Sequence, residues 1–277
     1  MDSVTPAPIP LLGTTFGAIL VGATLSDILF GILILQSIWY FKQYPNDWWP
    51  YRLAVAIICI LNTLDVAVST HALYFLLIET RTFIALDQLD MIWSCKLHTL
   101  LGMLIKVMVQ AMYALRLWKV RQYLHLSRVI PWFLALITVC NVGAGIYLVY
   151  GFYSVSNFSD IPTLKNEMLA VVPTSTAVDF LISITTCYYL NRSRAASMFP
   201  GTVSTLIALI RLILISGLVT SVCLTATLIT FLMSPNTLIF VAIDLIKPAL
   251  YTNSLLAMLN ARKELRKRIQ SSSFLDI

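Results

Sequence analysis

The stretch that decides the fold is residues 203–233, VSTLIALIRLILISGLVTSVCLTATLITFLM. It is long and almost entirely uncharged, and Arg211 is its single charged residue. A bilayer core about 30 Å thick needs about 20 consecutive apolar residues to be crossed by one helix. The stretch exceeds that length, and turn-forming residues border it, with Pro200-Gly201 before it and Pro235 after it. It therefore predicts a transmembrane helix.

Six further stretches repeat this pattern, so we expect seven membrane spans in an all-α bundle. The chain of 277 residues is 58% hydrophobic and 12% charged, with mean hydropathy +0.83. Soluble domains are about 25% charged, so this composition excludes a soluble enzyme, a disordered chain and a disulfide scaffold. We predict one polytopic membrane domain over residues 1–262 and a basic cytoplasmic tail over 263–277. The predicted spans are 12–40, 52–78, 96–118, 129–152, 168–190, 203–233 and 236–260.

The distribution of Lys and Arg between the spans predicts the orientation. Cytoplasmic loops of membrane proteins carry an excess of these residues. If the N-terminus lies outside, the outer loops hold only Arg81, Lys96 and Lys165, and the cytoplasmic side holds nearly all the others. We therefore expect an outer N-terminus and a cytoplasmic C-terminus. Because the basic residues lie between apolar runs, they predict contact with the lipid surface and no nucleic-acid partner.

Ionisable residues near the middle of the spans are the candidate functional residues. A charge at the bilayer centre costs about 2.5–3.5 kcal/mol on insertion scales, so such side chains are expected to face one another inside the bundle. Asp244, Lys247 and Tyr251 recur at helical spacing in span seven, as Lys106 and Gln110 do in span three. We predict an inward-facing polar layer, and a candidate ligand pocket, formed by Asp27, Asp65, Lys106, Gln110, Asp179, Asp244, Lys247 and Tyr251.

Three roles for this layer remain open at this point: a structural network, a site that responds to a ligand or ion, and a path for protons or substrate. Seven spans with an outer N-terminus favour a receptor-like or sensory protein. Pro248-x-x-Tyr251 followed by the basic stretch 260–269 looks like a proline-broken seventh helix leading to a short surface helix, as in receptors. The expected partners are the bilayer, an unknown small ligand or ion, and a cytoplasmic signalling protein at the basic loops. An ion- or proton-coupled transporter is the alternative.

Enzyme and cofactor functions are not indicated by the residues. A retinal lysine at Lys247 would need a carboxylate counter-ion from span three, which supplies Lys106 instead. A zinc hydrolase would need at least three ligands, and only His71 and His98 are placed to approach each other. We therefore predict no catalytic residues, no cofactor and no metal site.

Two shorter motifs concern modification and packing. Asn157-Phe158-Ser159 is a glycosylation acceptor on the predicted outer side. Gly13-x-x-x-Gly17 indicates close helix packing or dimerisation. We expect a multi-pass protein of the plasma membrane or an endomembrane.

Residues in spans one, two and seven resemble a known family. Span one has Leu29-Phe30-Gly31 with Gln36 and Tyr40, span two has Asp65, and span seven ends in NSLLAMLNAR over residues 253–262. Over nearly the whole chain these resemble the uncharacterised seven-helix membrane proteins of mushroom-forming fungi. The resemblance implies an integral membrane protein from a basidiomycete. Because that family has no established ligand, activity or catalytic residues, the resemblance does not choose between a receptor and a transporter.

Overall fold

A computed structural model describes residues 9–78, 91–124, 129–195, 200–234 and 239–273 of the chain. Within these ranges there are seven long helices and one short 3-10 helix, Phe158–Leu164, and no strand. All seven are long and apolar enough to cross a bilayer, which confirms the predicted all-α fold class. The helices are α1 Ile9–Gln43, α2 Trp49–Ile78, α3 Trp93–Leu124, α4 Val129–Ser154, α5 Lys165–Ala195, α6 Pro200–Met233 and α7 Ile239–Ser273.

Helices α1 to α6 each contain the corresponding predicted span, but α7 differs from the expectation. It begins at Ile239 and continues through Pro248 to Ser273 as one helix. The expected break at the proline and the separate surface helix are therefore wrong. Proline removes one backbone donor from a helix, and packing on neighbouring helices compensates this loss. Pro248 is buried in the bundle, where such packing is available.

The helices form a ring in which each packs on the next and α7 closes the ring against α1. Helix α3 also contacts α5 and α7 across the interior. Helix α7 is the most enclosed, with 56% of its apolar window buried against 11% in α4. The polar faces of α3 and α7 therefore meet inside the bundle. We call the end at which α1, α3, α5 and α7 begin the predicted outer end; its assignment to the outside remains a prediction from charge.

Buried apolar side chains fill much of the half of the bundle away from the predicted outer end. We call five of these side chains, each at most 2% exposed, the inner core. The inner core consists of Leu33 on α1, Met112 on α3, and Leu255, Met258 and Leu259 on α7.

Two glycines allow helix backbones to approach closely. A Cβ atom added at Gly22 of α1 would lie 2.8 Å from the Cα atom of Ala242 on α7. At Gly217 of α6 it would lie 2.8 Å from the Cβ atom of Ser183 on α5. Small residues serve this purpose at helix interfaces in membranes. Gly17, which the sequence suggested for close helix packing or dimerisation, has nothing within 4 Å of an added Cβ, so no described helix of this chain packs closely on it, and dimerisation stays a prediction.

Candidate functional site

A histidine of α3 joins carboxylates of two other helices. The Nδ1 atom of His98 lies 2.8 Å from an oxygen of Asp65 on α2, and its Nε2 atom lies 3.7 Å from an oxygen of Asp244 on α7. Asp244 also pairs with Lys247, one turn further along α7. Since both ring nitrogens face carboxylates, the geometry suits an imidazolium, which has two N–H donors. We call Asp65, His98, Asp244 and Lys247 the His98 network.

A second network lies deeper in the bundle and joins four helices. Asp179 of α5 accepts hydrogen bonds from Gln110 of α3, at 2.8 Å, and from the hydroxyl of Tyr251 on α7. Gln110 accepts in turn from Asn141 of α4 at 3.5 Å, and Asn141 accepts from Ser175 of α5 at 2.8 Å. Buried polar groups need such partners, because an unpaired one costs about 1–3 kcal/mol. We call these five residues the Asp179 network.

Lys106 of α3 lies between the two networks. It is one turn from Gln110, and its Nζ atom is 6.0 Å from the centre of the Tyr251 ring. In the described ranges no carboxylate oxygen lies within 4.0 Å of this ammonium. The layer holds three carboxylates, on Asp65, Asp179 and Asp244. When His98 is protonated, it also holds three cations, on His98, Lys106 and Lys247. The layer is then neutral overall, although Lys106 has no carboxylate in contact.

A cavity of about 190 Å³ opens above this layer. Lys106, Gln110 and Tyr251 line its deep end, and His98, Asp244 and Lys247 line its wall. Nearly all lining residues belong to the half of their helix nearer the predicted outer end, with Gln110 and Asn141 close to the midpoints of α3 and α4, and none belongs to the inner core. Most of the wall is apolar, with side chains such as Leu148, Phe152, Ile161, Met168, Val172 and Leu224. Concave apolar sites with a few convergent polar groups are typical of small-molecule binding sites.

Seven of the eight residues predicted for the polar layer lie inside the bundle, in or between these networks. The exception is Asp27, which the structure places on the exposed face of α1, so its predicted inward position is wrong. The buried face of α1 includes Ser26 and Leu33. Since successive helical residues are rotated by about 100°, Asp27 turns away from the face that buries Ser26.

Three important members of the networks, His98, Asn141 and Ser175, were not predicted. Hydrophobic periodicity places residues on the faces of one helix and does not show which residues of other helices they meet. One signal was available for His98: the spans hold more carboxylates than lysines, and a buried carboxylate requires a cationic or hydrogen-bonding partner. A histidine in span three was a candidate for that partner.

Two other sequence hypotheses can be compared with the structure. His71 is exposed and lies 3.1 Å from the hydroxyl of Ser94, away from the carboxylates that His98 contacts. Among the described residues no group of three or more His, Cys, Asp or Glu side chains is placed to hold a metal ion. Asn157 is half-buried just before the 3-10 helix, and its side chain makes no capping hydrogen bond there. Its glycosylation remains a prediction.

Comparison with known proteins adds one finding. Residues 175–264, which span most of α5, all of α6 and the whole candidate membrane span of α7, match the model of a family of unknown function, DUF6534. No curated protein and no solved structure matches the chain. The seven candidate spans indicate a multi-pass membrane protein, and one stretch of it is similar to this family.

Proposed function

We propose that the chain is a receptor-like membrane protein that binds a small ligand in the outer cavity. The observation that supports this most directly is the cavity itself, which reaches Lys106, Asp244 and Lys247 in the middle of the bundle. A purely structural charge network is expected to be closed by its own side chains. Here space for a ligand adjoins the charges, so a bound molecule would contact them.

Helix α7 supplies the connection from the cavity to the opposite end of the bundle. Tyr251 forms part of the cavity's deep end. Two residues further along α7, the side chain of Asn253 donates a hydrogen bond to the carbonyl of Leu29 on α1. Nine residues beyond Tyr251, the side chain of Asn260 donates to the carbonyl of Gln36 on α1. A ligand-dependent shift of α7 would therefore change its contacts with α1 near the predicted cytoplasmic end. In this proposal the basic loops there bind a cytoplasmic signalling protein, and the chain is not an enzyme.

The alternative of an ion- or proton-coupled transporter is favoured by the three carboxylates inside the bundle. It requires a second state in which the other half of the bundle opens, and the buried side chains of the inner core would then have to separate. We also place the chain with the seven-helix proteins of mushroom-forming fungi. What supports this is the resemblance of residues 253–262, which fall within the matched stretch 175–264.

Labelling with a photoreactive ligand tests whether the cavity admits a molecule. The full chain in lipid nanodiscs is photolysed with a neutral octanol that carries a diazirine, and the labelled peptides are mapped. Gly145 lines the cavity, whereas Gly143 on the same helix is exposed and has nothing within 4 Å of an added Cβ. We expect Gly145→Phe to abolish labelling of the cavity residues and Gly143→Phe to leave it unchanged. Equal labelling of wild type and Gly145→Phe would show that the probe does not occupy the cavity.

Hydrogen exchange then separates a receptor from a transporter. A receptor is expected to change exchange protection over residues 253–260 when the octanol probe is bound, because α7 carries the shift. Proton flux into reconstituted vesicles that is abolished by Asp179→Asn or Asp65→Asn would instead support the transporter. Unchanged exchange beyond the cavity, with the probe bound, would contradict the receptor proposal.

A further inference from the structure

Lys106 differs from the other charged side chains that line the cavity. His98, Asp244 and Lys247 are all engaged with carboxylate or cationic partners in the His98 network. In the part of the chain that the structure describes, the ammonium of Lys106 has neither a hydrogen bond nor an ion pair within 4.0 Å, and the centre of the Tyr251 ring lies 6.0 Å away. A distance of about 6 Å is the outer limit of a cation–π contact. The ammonium thus faces the cavity with its donors unused.

The neutral polar groups beside Lys106 are already occupied. Tyr251 and Gln110 both donate to Asp179, and Asn141 donates to Gln110. A ligand that took the single hydroxyl hydrogen of Tyr251 would break its bond to Asp179, and the second amide hydrogens of Gln110 and Asn141 offer only uncharged hydrogen bonds. Lys106 can accept a new partner at no such cost, so the polar end of a ligand is expected to bind there.

The walls define the rest of the ligand. A cavity of about 150 Å³ in a protein interior binds benzene, so the cavity of about 190 Å³ suits a molecule of about eight non-hydrogen atoms or a slightly longer chain that extends toward its mouth. The lining runs along α3 from Cys95 to Lys106, about 16 Å at 1.5 Å per residue. A small volume spread over that length is narrow, which favours an alkyl chain over a fused ring system.

We propose that Lys106 binds the carboxylate of a medium-chain fatty acid or a similar single-chain amphiphile, whose alkyl chain lies along α3 toward the predicted outer end. This inference rests on the proposed ligand-binding function and names the class of ligand. Because the layer is neutral when His98 is protonated, a ligand carboxylate changes its charge by one, whereas a phosphate monoester would change it by about two. An ammonium ligand would meet Asp244, but Lys247 already neutralises that carboxylate.

Burial makes this pairing specific. A charge-assisted hydrogen bond between an ammonium and a carboxylate is about twice as strong as a neutral one, and low local dielectric strengthens it further. An alcohol of the same chain length would fill the same apolar walls without this bond. The carboxylate is therefore expected to bind about tenfold or more tightly than the alcohol.

Competition on the wild-type chain in nanodiscs tests the ligand class without any substitution. The photoreactive octanol labels the cavity while octanoate, octanol or octylamine competes with it. All three competitors share one alkyl chain, so partition into the lipid differs mainly through the head group. We expect octanoate to prevent labelling at a concentration about tenfold or more below that of octanol, and octylamine to be the weakest.

Substitution of Lys106 tests the residue. Lys106→Met keeps the length of the side chain and removes its charge, so octanoate should lose its advantage over octanol. Lys106→Arg keeps the charge and should retain the preference. Lys96→Met is the matched control, because Lys96 lies on the same helix and donates to the carbonyl of Tyr153 outside the cavity lining. It should behave as wild type.

The outcomes separate this inference from the function on which it rests. If octanol labels the cavity but octanoate competes no better than octanol, the fatty-acid assignment is overturned and ligand binding stands. If Lys106→Met retains the preference for octanoate, Lys106 is not the anchor. If no probe labels the cavity, the proposed function fails first. Should Lys106→Met fail to fold, the wild-type competition still decides the ligand class.

Discussion

Two aspartates near the middle of neighbouring helices show how position decides the energetic role of a charge. Asp65 of α2 is 2% exposed, and its carboxylate lies 2.8 Å from the imidazole of His98. Asp27 of α1 is exposed on the outer surface of the bundle. Removing one partner of a buried ion pair leaves the other uncompensated, whereas an exposed carboxylate within a span is itself unfavourable in lipid. The same substitution should therefore have opposite effects at the two sites.

We predict that Asp65→Ala lowers the free energy of unfolding by about 3–5 kcal/mol, because His98 loses its closest carboxylate. Asp27→Ala is expected to leave stability unchanged or to raise it. Thermal unfolding of each purified full-length variant in detergent, monitored by size-exclusion chromatography, measures both changes in stability. A large loss of stability in Asp27→Ala would show that this carboxylate has a partner in the assembled protein.

At the scale of elements, close packing and hydrogen bonds against α1 fix the position of α7 in the bundle. Gly22 allows the two backbones to touch at Ala242 near one end. Further along the same interface, Asn253 and Asn260 each donate 2.8–2.9 Å hydrogen bonds to carbonyls of α1. Close packing and interhelical hydrogen bonds replace the hydrophobic effect as the source of helix association in a membrane. The α1–α7 interface is thus expected to be sensitive to small increases in side-chain volume.

Gly22→Ala and Gly17→Ala form a matched pair on one helix. We predict that Gly22→Ala lowers the thermal midpoint, because its methyl group would clash with the backbone of Ala242 and overpacking costs about 1–3 kcal/mol. Gly17→Ala adds a methyl group into open space, so it should be neutral or slightly stabilising, since alanine forms helix better than glycine. Equal midpoints for the two variants would contradict the close approach of α1 and α7.

At the scale of the whole molecule, the bundle has two different halves. The half near the predicted outer end contains the cavity and the charge networks, and the other half contains the inner core of closely packed apolar side chains. Such an arrangement suits a site that is reached from one side only. Whether that side faces away from the cytoplasm depends on the orientation predicted from Lys and Arg.

We predict that an epitope tag at the N-terminus is accessible to antibody on intact cells or sealed vesicles and that a tag at the C-terminus is accessible only after permeabilisation. Asn157 provides an independent measurement, because glycosylation occurs only on the outer side. A decrease in apparent mass after glycosidase treatment, absent in Asn157→Gln, would agree with the outer location. A C-terminal tag accessible without permeabilisation would reverse the orientation.

Particular residues show how far prediction from sequence extended. Asp244, Lys247 and Tyr251 were placed on one face of one helix by spacing alone, and the structure has all three lining the cavity. The contact of His98 with Asp65 and Asp244 joins three helices and was not foreseen. Spacing within a helix gives the direction of a side chain relative to its own neighbours. It contains no information on the rotation of one helix against another.

The sequence by itself determined that the chain has seven helices long and apolar enough to cross a membrane. It also determined that most charges near the middle of these helices face inward, since unpaired backbone groups and stray charges are both costly in hydrocarbon. Tertiary packing alone decided three further features: Asp27 faces outward, His98 completes the charge balance, and a cavity remains above Lys106. The reason is that rotation and spacing of helices follow from the volumes of all the side chains that meet between them, as at Gly22 and Ala242.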